Sequence, residues 1–233
     1  MQQVNLEKVQ RLNFRSNESY KSLRTNIQFC GNDIRMICFT SCMPNEGKSS
    51  VSFNLAVSFA ETGKNVIFID ADLRRSSTVG RYKPDKGVLG LTHFLSGQNF
   101  FEEILYASNI PNLDIIFTGP IPPNPTELLE SEIFLLMIQE LRDKYDYIFI
   151  DTPPLGSVID SAIVAQKCDG VILVIEAKAI NYKFAQKVKL QLEKGNCRIL
   201  GAVLNKVKTN NNQYSYYGRK YKKYKDSYYY AGN

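Results

Sequence analysis

Gly47, Lys48 and Ser49 follow one another in the stretch "TSCMPNEGKSS" (40–50), and those residue types in that order can grip a phosphate chain. Glycine lets the backbone approach the phosphates, lysine reaches the β and γ oxygens, and the serine hydroxyl can ligate Mg²⁺. Read from Cys42, the stretch matches the template G-x-x-x-x-G-K-[ST], with cysteine in place of the first glycine. That glycine is a conformational convenience and not a reacting group, so the chemistry survives its loss. Asn45, Glu46 and Ser50 complete the loop. Its backbone amides and the start of a following helix add positive field for an anion.

Carboxylates supply the complementary half. "NVIFIDADLRR" (65–75) ends an apolar run at Asp70 and Asp72, and "YDYIFIDTPP" (145–154) ends another at Asp151. An aspartate closing a buried strand can hold Mg²⁺ beside a phosphate loop. Any one of them alone also reads as a turn or helix cap. Three at one edge of a parallel sheet, beside the loop, point to a site for ATP and Mg²⁺.

For these residues to meet, the chain must alternate strands and helices. Short runs rich in Val, Ile and Phe recur at 34–41, 65–70, 113–119, 145–151, 170–177 and 198–205. They are nearly continuous in hydrophobicity, as strands covered on both faces should be. Helical segments lie between them at 49–63, 126–144 and 180–195, and an amphipathic one over about 16–30 precedes the first strand. The expectation is an α/β fold of the P-loop NTPase type. Its doubly wound, mostly parallel sheet carries helices on both faces, and ligands sit at the carboxyl ends of the strands.

The chain has 233 residues and a net charge of +6. That charge is concentrated: from Lys206 onward there are seven basic residues and one acid, so residues 1–205 are balanced. After Asn205 the periodicity stops. The reading is one domain over 1–205 and a disordered basic tail over 206–233 that holds eight of the 14 tyrosines: Tyr214, Tyr216, Tyr217, Tyr221, Tyr224, Tyr228, Tyr229 and Tyr230. About 20 such residues span roughly 25 Å root-mean-square. A nucleic-acid binder would spread its basic surface over folded structure, so no nucleic-acid partner is expected. The five cysteines show no metal spacing, and a single histidine leaves no zinc site to propose. No apolar run is long enough to span a bilayer and no signal peptide opens the chain, so a cytoplasmic protein is expected.

Taken in order, "ESYKSLRTNIQF", "SCMPNEGKSS", "FIDADLRR", "GLTHFLSG", "GPIPPNPTELLES" and the terminal tyrosines resemble the bacterial tyrosine kinases (BY-kinases) of capsule and exopolysaccharide synthesis. The resemblance covers nearly the whole chain and is to the type whose cytosolic kinase is a separate polypeptide. It implies an ATP-dependent protein-tyrosine kinase that phosphorylates its own tyrosine cluster. The roles it implies are Lys48 on the phosphates, Ser49, Asp72 and Asp151 on Mg²⁺, and either Asp70 or Asp72 orienting or deprotonating the acceptor tyrosine. Asn205 falls where related folds read adenine, with a structural turn as the alternative.

The same resemblance implies three partners. One is a membrane-spanning chain-length regulator that activates the kinase and brings it to the inner membrane face. The second is a cognate tyrosine phosphatase, and the third a homo-oligomeric ring. The ring helix motif E-x-x-R-x-x-R appears as Glu18, Lys21 and Arg24, where Lys21 lacks the bidentate fork of arginine. The rival is a partition or division-site ATPase of the same fold, whose signature lysine is replaced here by Met43.

Overall fold

The computed structural model of the chain describes residues 2–9, 11–75 and 78–207; the tyrosine cluster lies outside them. In chain order the first half runs β1 (Gln2–Val4), α1 (Phe14–Gln28), β2 (Met36–Ser41), α2 (Lys48–Ala60), β3 (Val66–Asp70), α3 (Thr78–Tyr82), α4 (Leu91–Leu95) and α5 (Phe101–Ile104). The second half runs β4 (Tyr106–Ser108), β5 (Leu113–Ile116), α6 (Pro125–Glu130), α7 (Glu132–Lys144), β6 (Tyr147–Asp151), α8 (Asp160–Ala165), β7 (Gly170–Glu176), α9 (Tyr182–Lys194) and β8 (Ile199–Asn205).

All eight strands form one sheet in the order β1-β4-β5-β3-β6-β2-β7-β8, parallel everywhere except between β4 and β5. The apolar strands alternate their side chains between two cores. Met36, Cys38, Ile67, Ile69, Ile148 and Ile150 pack on one face with residues of α7, α8 and α9. Ile37, Phe39, Phe68 and Phe149 pack on the other with α1 and α2. Burial on both faces explains why these strands read as continuous apolar runs.

The chain leaves β2 through α2 toward β3 and later places β7 on the other side of β2. The crevice at the carboxyl end of β2 is therefore where a ligand fits. Register carries the aspartates there: Asp70 of β3 lies opposite Asp151 of β6, and Asp151 opposite Phe39 of β2.

Three details depart from the sequence reading. The segment 126–144 is two helices, because Ser131 takes an extended ψ of 151° and its hydroxyl accepts the Phe134 N–H at 3.2 Å. Serine is a strong N-cap, and here it outweighs the periodicity running across it. Helix α1 starts at Phe14, capped by the Asn13 side chain on the Ser16 N–H. The strands β1 and β4 have three residues each, too short for alternation to show, and they form the edge of the sheet beyond β5.

Candidate active site

The loop between β2 and α2 is shaped by left-handed residues at Asn45 (φ 67°) and Gly47 (φ 90°). Asparagine and glycine are the residues that adopt this region at least cost. At Gly47 a Cβ would also lie 2.1 Å from Asn205 Nδ2, so only glycine fits. Cys42, at the first template position, is fully buried and belongs to the core beneath α8 and α9. Burial and the nearby Glu46 carboxylate push its thiol up to about 12, so it is a packing residue and not a nucleophile. A side chain is welcome there because that position faces the core rather than the ligand.

Glu46 is 2% exposed. Its Oε2 accepts the Met43 N–H at 2.7 Å and its Oε1 the Glu176 N–H at 3.2 Å, so the carboxylate staples the loop to the end of β7. Asn205 Nδ2 donates to the Glu46 carbonyl at 2.9 Å, a loop-holding contact made from the end of β8.

Beyond the loop, Lys48 Nζ lies 2.9 Å from Asp151 Oδ1 and 3.9 Å from Asp72 Oδ2, and donates to Ser49 Oγ at 3.2 Å. Ser52 Oγ donates to Asp151 Oδ1 at 3.1 Å, while Asp151 Oδ2 is buried and meets no donor. Burial raises the Asp151 carboxyl above its ordinary range, against the pull of Lys48 and with a further push from Asp70. Asp72 is raised to about 6 by burial, with Lys48 pulling down, Asp70 and Asp151 pushing up, and the Arg75 N–H pulling down. Asp70 is also buried, and its Oδ1 accepts the Asp72 N–H at 3.2 Å. Of the two, only Asp72 lines the cleft.

The cleft encloses about 400 Å³ and has a basic rim of Arg74, Arg75, Arg81 and Lys206. Arg74 forks onto buried Asp160, with Nε at 2.7 Å and Nη2 at 3.0 Å, and also reaches Thr126 Oγ1 at 2.8 Å. Arg81 donates to Ser50 Oγ. None of these four has a role in the reading of the sequence. Arg74 and Arg75 lie two and three residues after Asp72 and had that signal, whereas Arg81 and Lys206 reach the cleft only through tertiary structure. Lys206, assigned from sequence to the tail, is tied to Asn45 O and Glu176.

Among the described residues no three His, Cys, Asp or Glu side chains converge as a metal cage. Mg²⁺ does not need one, because it takes one or two carboxylates together with phosphate oxygens and water. The donor set fits that demand: a hydroxyl at Ser49, and a buried, half-partnered carboxylate at Asp151 next to Lys48.

Elsewhere, the proposed oligomer residues lie on α1. Glu18 and Lys21 pair with each other at 2.8 Å on the surface. Arg24 donates to the backbone and hydroxyl oxygens of Ser58 on α2 in the same chain. No helix among the described residues is long and apolar enough to cross a membrane.

A family described as an AAA domain matches residues 34–194. The tyrosine-protein kinase CpsD of Streptococcus pneumoniae serotype 4 is 45% identical over 86% of this chain and 88% of its own length. Among solved structures, the kinase domain of the Escherichia coli tyrosine kinase ETK superposes with a TM-score of 0.77 at 29% identity, covering 83% of this chain and 78% of that one. The septum site-determining protein MinD of Pyrococcus horikoshii OT3, complexed with Mg-ADP, superposes at 0.63 and 26% identity, over 76% of this chain and 72% of MinD. The MinD match shows how far the P-loop fold alone carries the likeness. The much higher identity to CpsD, over nearly the full length of both chains, goes beyond fold: this chain belongs to the bacterial tyrosine kinase (BY-kinase) family of capsule and exopolysaccharide synthesis and is a protein-tyrosine kinase.

Proposed function

We propose that the chain transfers the γ-phosphoryl group of Mg·ATP to tyrosine hydroxyls, including those of its own C-terminal cluster from Tyr214 to Tyr230, and so regulates polysaccharide synthesis and chain length. The observation that carries the reading is the buried Lys48–Asp151 pair at 2.9 Å, set between the phosphate loop and Asp72 at the carboxyl edge of the sheet. With nucleotide bound, Lys48 would serve the phosphate oxygens, and Ser49 and Asp151 would hold Mg²⁺. A Mg²⁺ ion held there would supply charge neutralisation for the phosphates. Asp72, rather than Asp70, faces the acceptor. A tyrosine hydroxyl ionises near 10. A carboxylate raised to about 6 can orient it and take its proton as the oxygen bonds phosphorus and ADP leaves. Asp70 holds the Asp72 backbone in place. The rim residues Arg75 and Arg81 add positive charge over the phosphates.

The same proposal includes a ring of subunits and an activator at the membrane. Helix α1 presents Phe14 and, at its end, Phe29, which are 82% and 83% exposed. Large apolar side chains in the open suit an assembly surface. A membrane-spanning regulator would complete the active state and recruit the kinase to the inner membrane face, and a phosphatase would reset it. Incubating purified protein with Mg·ATP, with and without the cytoplasmic end of the regulator, and blotting for phosphotyrosine tests the reaction. ATP hydrolysis with no phosphotyrosine under either condition would favour a MinD-like ATPase.

A further inference from the structure

The end of β8 clasps the phosphate loop at two consecutive carbonyls. Asn205 Nδ2 donates to Glu46 O at 2.9 Å, and Lys206 Nζ donates to Asn45 O at 2.7 Å. Lys206 is itself held by Glu176 Oε2 at 2.8 Å, and the Glu176 N–H donates to Glu46 Oε1. The three contacts close a small circuit: loop to β7, β7 to Lys206, Lys206 back to the loop. Peptides among the described residues are all trans, so each N–H points opposite to its carbonyl. Turning the Asn45 and Glu46 carbonyls toward β8 therefore turns the Glu46 and Gly47 amides away from it.

The clasp falls on the loop residue with most reason to relax. Asn45 sits at φ 67°, a region open to glycine and tolerated by asparagine only at some cost. Lys206 is also left-handed, at φ 55°, so two non-glycine residues hold this geometry against each other. A charged donor on a carbonyl makes a stronger bond than a neutral one. The exposed pair with Glu176 serves to aim the ammonium rather than to add much stability.

We propose that Lys206 is a positioning residue for nucleotide binding: by capping the Asn45 carbonyl it holds a loop without glycine at that position in its phosphate-binding shape. The inference rests on the reading of the cleft as the nucleotide site. A double-mutant cycle between K206A and N45G tests it, reading affinity for a fluorescent ADP analogue with Mg²⁺ alongside KM for ATP and kcat. K206A is expected to raise Kd and KM about fivefold to tenfold, the worth of one lost charge-assisted hydrogen bond, with kcat little changed. K206M should share that loss and K206R recover most of it. In the glycine background the clasp has little left to hold, so N45G/K206A should bind within about twofold of N45G. An equal loss in both backgrounds would mean that Lys206 touches the nucleotide itself and would overturn the proposal. So would an unchanged K206A. Failure of the unsubstituted protein to bind the analogue would refute the cleft reading and the proposal together, whereas binding with a flat cycle would refute only the role of Lys206.

Discussion

On the proposed mechanism Lys48 carries two loads, one in each state of the site. Without nucleotide it compensates Asp151, a carboxylate with one oxygen already lacking a donor. Lys48→Met is therefore expected to abolish phosphotyrosine formation and also to lower the stability of the nucleotide-free protein by up to about 3 kcal/mol, as unpaired buried charges do. Urea melts should show the deficit, and adding Asp151→Asn to the Lys48→Met protein should restore most of it. Asp72 pulls the other way. Its folded value of about 6 lies above the ordinary 3.8, so its stabilising contribution is complete below about pH 4 and is lost as pH rises through 6. Asp72→Asn should then stabilise nucleotide-free protein at pH 7 by up to about 3 kcal/mol, seen as a higher melting temperature, and flatten its dependence between pH 4 and 7. The same variant should lose kinase activity. A residue that costs stability where it is proposed to perform chemistry is the expected trade at an active site.

At the scale of elements, the strands that carry the site are pinned at their far ends. Asp169, just before β7, accepts the Arg35 and Met36 N–H groups at 2.9 and 2.7 Å where β2 begins, and is paired with Arg142 of α7. Burial pushes its carboxyl up, but Arg142 and the two amides outweigh burial and hold it below the usual range. Its contribution is thus present above the unfolded value and lost as pH falls through the lower folded one. Asp169→Ala should cost about 1–3 kcal/mol at pH 7 and remove part of the acid sensitivity in thermal melts. Ser131 is a second such pin. Removing its cap with Ser131→Ala should cost about 1 kcal/mol, measured by denaturant titration, because α6 and α7 meet at that residue.

For the whole molecule, a ring of subunits would let each tail reach a neighbour's cleft, so phosphate is expected to pass between chains. Mixing a Lys48→Met chain that keeps all its tyrosines with an active chain truncated after Val207 should place phosphotyrosine on the full-length, inactive chain alone. Phosphorylation confined to reactions of intact wild-type chains, with none in the mixture, would argue for transfer within one chain. Full modification of eight tyrosines would add about −12 to −16 charges to a segment of +6, and size exclusion before and after the reaction should then report a smaller assembly. The kind of fold and the place of the candidate cleft were legible in the chain because their signals are local. Apolar runs, a Gly-Lys-Ser turn and aspartates at strand ends are each written within a few consecutive residues, and strand–turn–helix order places them at one edge of a parallel sheet. The choice of Asp72 over Asp70 as the cleft-facing carboxylate was not local, because it depends on how the chain turns after β3. Neither were the stapling of the loop by Glu46 nor its clasp by Asn205 and Lys206. Those contacts join residues 130, 159 and 161 positions apart, and only strand register and packing bring them within hydrogen-bonding distance.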